Sequence, residues 1–206
     1  MRAVCLELRM STELSEQIAA TAARLVVEEG LDYGPAKRRA AQVLGVNARA
    51  ASLPDNQAVE DEVRDYLALF CADTQPAELA ALRAVALGWM QRLAAFRPHL
   101  TGAVWRGTAT RLNNVHLQLY CDDSKQAELG LIDLGVDYEV NSTTRPRGDA
   151  VDVLSLSSRS TALGEHVTVH LTVLDHDDLR GALKPDASGR TQRGDLAALI
   201  KLMATP

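Results

Sequence analysis

VWRGTATRLNNVHLQLYCDD, residues 104–123, is the stretch on which the fold turns. Val104 and Trp105 lead into a small pair, Gly107 and Thr108, which predicts a turn. After Asn113 and Asn114 strict alternation sets in: Val115, Leu117, Leu119 and Cys121 on one parity, His116, Gln118 and Tyr120 on the other. That is the pattern of a strand with one buried side. The spacing predicts a β-hairpin whose polar face carries any site the chain has.

Working outward toward the C-terminus, Asp123 or Ser124 is placed to cap a helix, SKQAELGLIDL, that Gly135 ends. A strand is expected over 136–140, a loop rich in Thr, Arg, Pro and Gly over 141–150, and strands over 151–157 and 166–174. In the last of these Val167, Val169, Leu171 and Val173 share the apolar parity, opposite His166, Thr168, His170 and Thr172. Short helices over 177–183 and 195–203 close the chain, separated by the loop KPDASGRTQRG.

Toward the N-terminus the period changes to 3.6. Leu14, Ile18, Ala22, Leu25 and Val26 share a helical face that Gly30 stops. A second helix is expected from Pro35 to Gly45, carrying the basic cluster Lys37, Arg38 and Arg39, either a phosphate or RNA contact or a solvated face. A third starts at Pro54 and Asp55. A fourth runs from residues 74–76 to Phe96, with Leu79, Leu82, Ala86, Trp89, Leu93 and Phe96 spaced three and four apart. Such a seam serves either packing within a bundle or a dimer contact. Residues 1–10 alternate weakly, as an edge strand would, and Met10 leaves open whether they belong to the native product.

Composition sets the limits. In 206 residues with 47% hydrophobic content a substantial core is possible. A net charge of −5 argues against extensive nucleic-acid binding, which needs many cations to displace counterions. Cys5, Cys71 and Cys121 are far apart and odd in number, which predicts reduced thiols in a cytoplasmic protein. Glu7 and Arg9 interrupt what would be a signal-peptide core, and no run of about 18 apolar residues offers a membrane span. The shift from Ala, Leu and Glu to Val, Thr and Gly after Pro98 predicts a domain boundary: a helical domain over 1–98 and a mixed-sheet domain over 99–206. The fold class is α+β.

The stretch resembles the nucleotidyltransferase superfamily, the DNA polymerase β-like fold, in which a strand ends in a small pair and a following strand presents Asp-x-Asp. The resemblance implies that Gly107 and Thr108 stand for the small pair, and that His116 and Gln118 fall at the two aspartates. His170 would lie near the third carboxylate of that superfamily, which sits on a later strand, with Asp152 as the alternative. The longer phrases AARLVVEEGLDYGPAKRRAAQVLG, LPDNQAVEDEVRDYLALF, RGTA, LQLYCDD and VTVHLTVL resemble uncharacterised proteobacterial proteins with a nucleotidyltransferase-like domain.

Mg²⁺ takes hard, charged oxygen ligands, which imidazole and carboxamide do not supply. The expectation is therefore a degenerate metal site and a non-catalytic protein that binds a nucleotide, another phosphate-bearing ligand or a partner, as monomer or dimer. Arg106, Gly107, Thr108 and Arg111 are the candidate nucleotide contacts. The alternative is an active transferase with atypical ligands, in which Asp122 and Asp123 bend back to hold Mg²⁺.

Overall fold

The computed structural model describes residues 2–47, 53–144, 148–180, 183–185 and 189–204, with side chains from Thr12 onward except that of Ser124. It divides into two compact units, Met1–Pro76 and Ala77–Pro206.

The first unit holds three helices, α1 (Arg2–Glu29), α2 (Tyr33–Val43) and α3 (Asn56–Phe70). The backbone of 2–10 is helical, so the expected edge strand is corrected. Ile18, Ala22, Ala23 and Val26 pack with Ala36, Ala40, Val59 and Val63, and the alanines let the helices approach closely. Asp55 caps α3 by accepting from the Ala58 N–H at 2.7 Å. Two cations of the basic cluster have partners within the unit, while Arg38 and Arg39 stay exposed. Lys37 Nζ donates to Pro54 O and Asn56 Oδ1 at 3.0 and 2.8 Å, and Arg39 pairs with Glu29 at 2.6 Å.

The second unit opens with α4 (Gln75–Arg92), then β1 (His99–Thr101), α5 (Gly102–Arg106), β2 (Val115–Tyr120), α6 (Ser124–Asp133), β3 (Tyr138–Thr144), β4 (Ala150–Ser160), β5 (Glu165–Leu174), β6 (Arg193–Gly194) and α7 (Leu196–Ala204). The strands form one sheet in the order β3-β4-β5-β2-β1-β6. Only β2 and β5 run parallel; every other pair is antiparallel. The expected α+β architecture with a mixed sheet is what the chain adopts.

The expected boundary at 98 gives way to one at 76/77. The reason is packing. Leu82, Ala86 and Trp89 of α4 and Leu93 just after it bury into the same core as Leu117, Leu119, Val169 and Leu171 of the sheet and Leu131 and Leu199 of α6 and α7. The seam of the fourth helix is thus covered within its own unit, and Trp89 Nε1 donates to Ser158 Oγ of β4 at 2.9 Å.

Two further corrections concern the central stretch and the loop after it. Val104 and Trp105 lie in the single-turn helix α5, and the partner of β2 is the three-residue β1. Gly102, at φ 73°, is what lets the chain leave β1 and enter α5 at once. Residues 141–144, expected in a loop, continue β3 and pair with Val153, Asp152, Val151 and Ala150. Residues 145–147 of that loop, 181–182 of the expected penultimate helix and 186–188 of the following loop lie outside the described residues. Among those described, no helix is long and apolar enough to cross a membrane.

Candidate functional site

Register builds the site. Val115, Leu117 and Leu119 are buried on one face of β2, Val167, Val169 and Leu171 on the same face of β5, as the alternation predicts. The other face is polar. His116 stands opposite Thr101 on β1 and beside His170 on β5; Ser155 of β4 stands opposite His170, and Arg193 of β6 opposite Thr101. Because paired residues share a face, Ser155, His170, His116, Thr101 and Arg193 form one row across five strands.

Within that row the imidazoles of His116 and His170 stack, with ring centroids 4.9 Å apart and planes 27° from parallel. His170 is held at both nitrogens: Asn114 Nδ2 lies 3.1 Å from Nε2 and Ser155 Oγ 2.9 Å from Nδ1. With the Asn114 amide donating to Nε2, the ring proton sits on Nδ1 and Ser155 Oγ accepts it. Gly102 lies beside this pair, since a Cβ on it would sit 3.6 Å from His116 Cδ2.

The expected residues are thus partly gathered. His116 and His170 come together. Gln118 does not join them, because its Oε1 accepts from Arg193 Nη1 at 2.6 Å and from the Tyr120 hydroxyl at 3.1 Å. The side chains of β2 and its approach that surround His170 are Asn114 and His116. β1 ends at Thr101 and Gly102-Ala103 follow it, whereas Gly107-Thr108 close α5. Asp152 shares the parity of Leu154 and Leu156, which are buried on the opposite face, and so leaves the site.

Of the proposed ligand contacts, Gly107 and Arg111 are engaged within the chain. Gly107 N donates to Ala103 O. Thr108 is buried, and its hydroxyl, out of solvent and without an acceptor among the described residues, is not offered to a ligand. Arg111 pairs with Glu165 at 2.9 Å, and this carboxylate raises its pKa further. Arg106 ends α5. Behind Gly107 lies a cation the sequence did not single out, Arg83, whose Nε donates to Val104 O at 3.2 Å and whose pKa is lowered by burial.

Asp122 and Asp123 lie past the C-terminal end of β2. Asp123 is the N-cap of α6, accepting from the Lys125 N–H at 2.9 Å, which is the capping role the sequence offered. Beside them Cys121 is buried, and burial followed by the charges of Asp123 and Asp122 pushes its thiol pKa up. Cys121 and Cys71 are free thiols; the side chain of Cys5 lies outside the described residues.

A divalent metal is poorly matched by this donor set. Asn114, His116 and His170 bring no negative charge, and both nitrogens of His170 are engaged. Among the described residues no group of three or more His, Cys, Asp or Glu is placed to hold a metal ion. Mg²⁺ would lack the charged oxygens it requires.

No family model matches the sequence, and no curated protein does. Three solved structures are similar at low identity. The poly(U) polymerase Cid1 with MgGTP bound matches with a TM-score of 0.34 and 15% identity over 46% of this chain and 32% of that one. Cid1 with the UTP analogue UMPNPP gives 0.32 and 16% over 46% and 30%. A cytoplasmic RNA terminal U-transferase gives 0.32 and 19% over 47% and 30%. The chain spans about a third of the length of these proteins.

Proposed function

We propose that the second unit is a nucleotidyltransferase-like domain that binds a nucleotide or another phosphate-bearing ligand without transferring it. The observation that carries this reading is the convergence of Asn114, His116 and His170 on one face, an x-spaced pair at the start of β2 and a third residue on its parallel neighbour, which is the kind of arrangement the resemblance assigns to three carboxylates. The topology supports the comparison, because β2 follows β1 and a small pair, Gly102-Ala103, as the sequence resemblance requires.

The chemistry follows from the donors. Transfer of a nucleotidyl group needs metal-held charge to neutralise the leaving pyrophosphate. Asn114, His116 and His170 supply neutral donors and acceptors instead, so the face can receive an anion directly and does not repel it as three carboxylates would.

The test is a thermal-shift titration of the full chain with the four nucleoside triphosphates, with and without Mg²⁺, beside a transfer assay. A ligand at about 100 times its dissociation constant adds about 2.7 kcal/mol of stability, well within detection. The expected result is stabilisation that is nearly the same with and without Mg²⁺, falls with added salt, and yields no transfer product. Mg²⁺-dependent transfer lost in Asp122→Asn or Asp123→Asn would establish the active-enzyme alternative. Asparagine is used because it keeps the cap of α6.

A further inference from the structure

Arg193 occupies an unusual position on the polar face. It belongs to β6, opposite Thr101, in the row that contains His116 and His170. Its backbone is fixed by α5: the Trp105 indole packs over Gly194, filling the space a side chain there would need, and Trp105 Nε1 donates to Thr191 O at 2.8 Å. From β6 the side chain reaches across β1 to β2, where Nη1 donates to Gln118 Oε1 at 2.6 Å and to the Tyr120 hydroxyl at 3.0 Å.

Both of those acceptors are neutral. Arg111, Arg39 and Arg64 each pair with a glutamate, Glu165, Glu29 and Glu60 respectively. Arg193, half-buried, forms no ion pair with a carboxylate among the described residues, and its Nε is buried without an acceptor. A guanidinium taken partly out of water with neither counter-charge nor a full set of acceptors is unfavourable unless a further anion completes it. The two Nη1 bonds fix one end of the fork; Nη2 is the nitrogen left for an incoming oxyanion, and Nε, buried as it stands, can share in a two-point contact once the side chain re-seats.

We propose that Arg193 is the anion anchor of the His116–His170 face, binding a phosphoryl oxyanion that completes its unpaired charge. This deepens the function proposed above and rests on it. It places the phosphate on β6, where neither Arg106 nor Arg111 stands. Gln118 and Tyr120 are positioning residues, holding the guanidinium over β2 on the same face as the imidazoles. Uptake of an oxyanion lets the side chain re-seat so that Nε also gains an acceptor.

The experiment is calorimetric titration of the full chain at low salt with pyrophosphate, with each of the four nucleoside triphosphates and with the corresponding nucleosides. The unmodified protein is compared with Arg193→Gln, Arg193→Lys, Arg106→Ala and Arg111→Gln. Loss of a charge-assisted, two-point contact is expected to weaken pyrophosphate and triphosphate binding about tenfold or more in Arg193→Gln. Arg193→Lys, which keeps charge and loses the fork, should fall between, and the other two variants should change by no more than about threefold.

Triphosphate binding that is unchanged in Arg193→Gln overturns the anchor and leaves the nucleotide reading standing. Pyrophosphate bound through Arg193, with no nucleotide bound more tightly, supports the anchor and removes the nucleotide. Binding of none of the probes overturns both. Should Arg193→Gln fail to fold, phenylglyoxal labelling of the unmodified chain decides. Pyrophosphate should suppress labelling of Arg193 while leaving Arg106 labelled, and equal labelling of Arg193 with and without pyrophosphate overturns the anchor.

Discussion

At the scale of single residues, capping chemistry was legible and the register of the site was not. Asp123 stands at the start of an apolar helical pattern, and the physics of an unsatisfied helix N-terminus assigns it whatever the tertiary structure. Asp123→Ala is expected to cost about 1 kcal/mol and Asp123→Asn almost nothing, read as urea midpoints at unchanged slope. Equal losses in both would mean that the charge, and not the cap, matters. The place of an x-spaced pair is ambiguous in the sequence for a definite reason. Alternation has period two, so sliding the pair from 114 and 116 to 116 and 118 preserves every statement about which side is buried. Only the pairing of β2 with β5, a contact between distant residues, shows that His170 meets Asn114 and His116 and that Gln118 belongs to Arg193.

Cys121 gives a second prediction at this scale. Burial, with Asp123 and Asp122 adding to it, holds its thiol protonated, and the thiolate is the reactive form. At neutral pH iodoacetamide should therefore label Cys71 well before Cys121, as peptide mapping would show; equal rates would contradict the burial. The sign for stability is that of an acid whose folded pKa is raised. The contribution is present below the thiol's ordinary range and is lost as pH rises through it, because the unfolded chain then gives up the proton first.

At the scale of elements, long periodic segments were read correctly and short ones were not. The strand of β5 and helices α3, α4 and α6 each carry several repeats of their pattern. β1 has three residues and β6 two, too few to display any period, and Val104 and Trp105 are β-favouring by type although tertiary packing makes them one turn of helix. Trp105 is what ties these short elements together. In Gly194→Ala the new methyl would overlap Trp105 Cη2. The indole must move, so β6 should loosen, and hydrogen exchange at β1 and β6 should quicken while α6 is unaffected. Retained protection at both strands would show that the ring has room to yield. Leu82 and Leu93, 0% and 1% exposed in the core of the second unit, are each expected to cost about 2 to 5 kcal/mol on replacement by Ala. Dissociation of an oligomer with an unaltered unfolding midpoint would instead make the α4 seam an interface.

At the scale of the whole molecule, the composition change at residue 98 marks where helical sequence ends, which is not where packing divides. α4 is helical in sequence and belongs to the sheet by its contacts, so the unit boundary falls ahead of it. The consequence for function is that the entire polar row, with the elements that place it, lies in one unit, and its metal affinity is testable by adding charge. With Asn114→Asp, His116→Asp and His170→Asp together, three carboxylates would crowd one face, and mutual repulsion should lower the unfolding midpoint in chelator. Mn²⁺ or Mg²⁺ should then raise it again by supplying the missing counter-charge. A control with His116→Asp, Gln118→Asp and His170→Asp keeps the number of carboxylates but sets one against Arg193, so it should gain far less metal response. Equal responses from the two sets would return the pair to 116 and 118, and no response from either would remove the nucleotidyltransferase comparison from this face altogether.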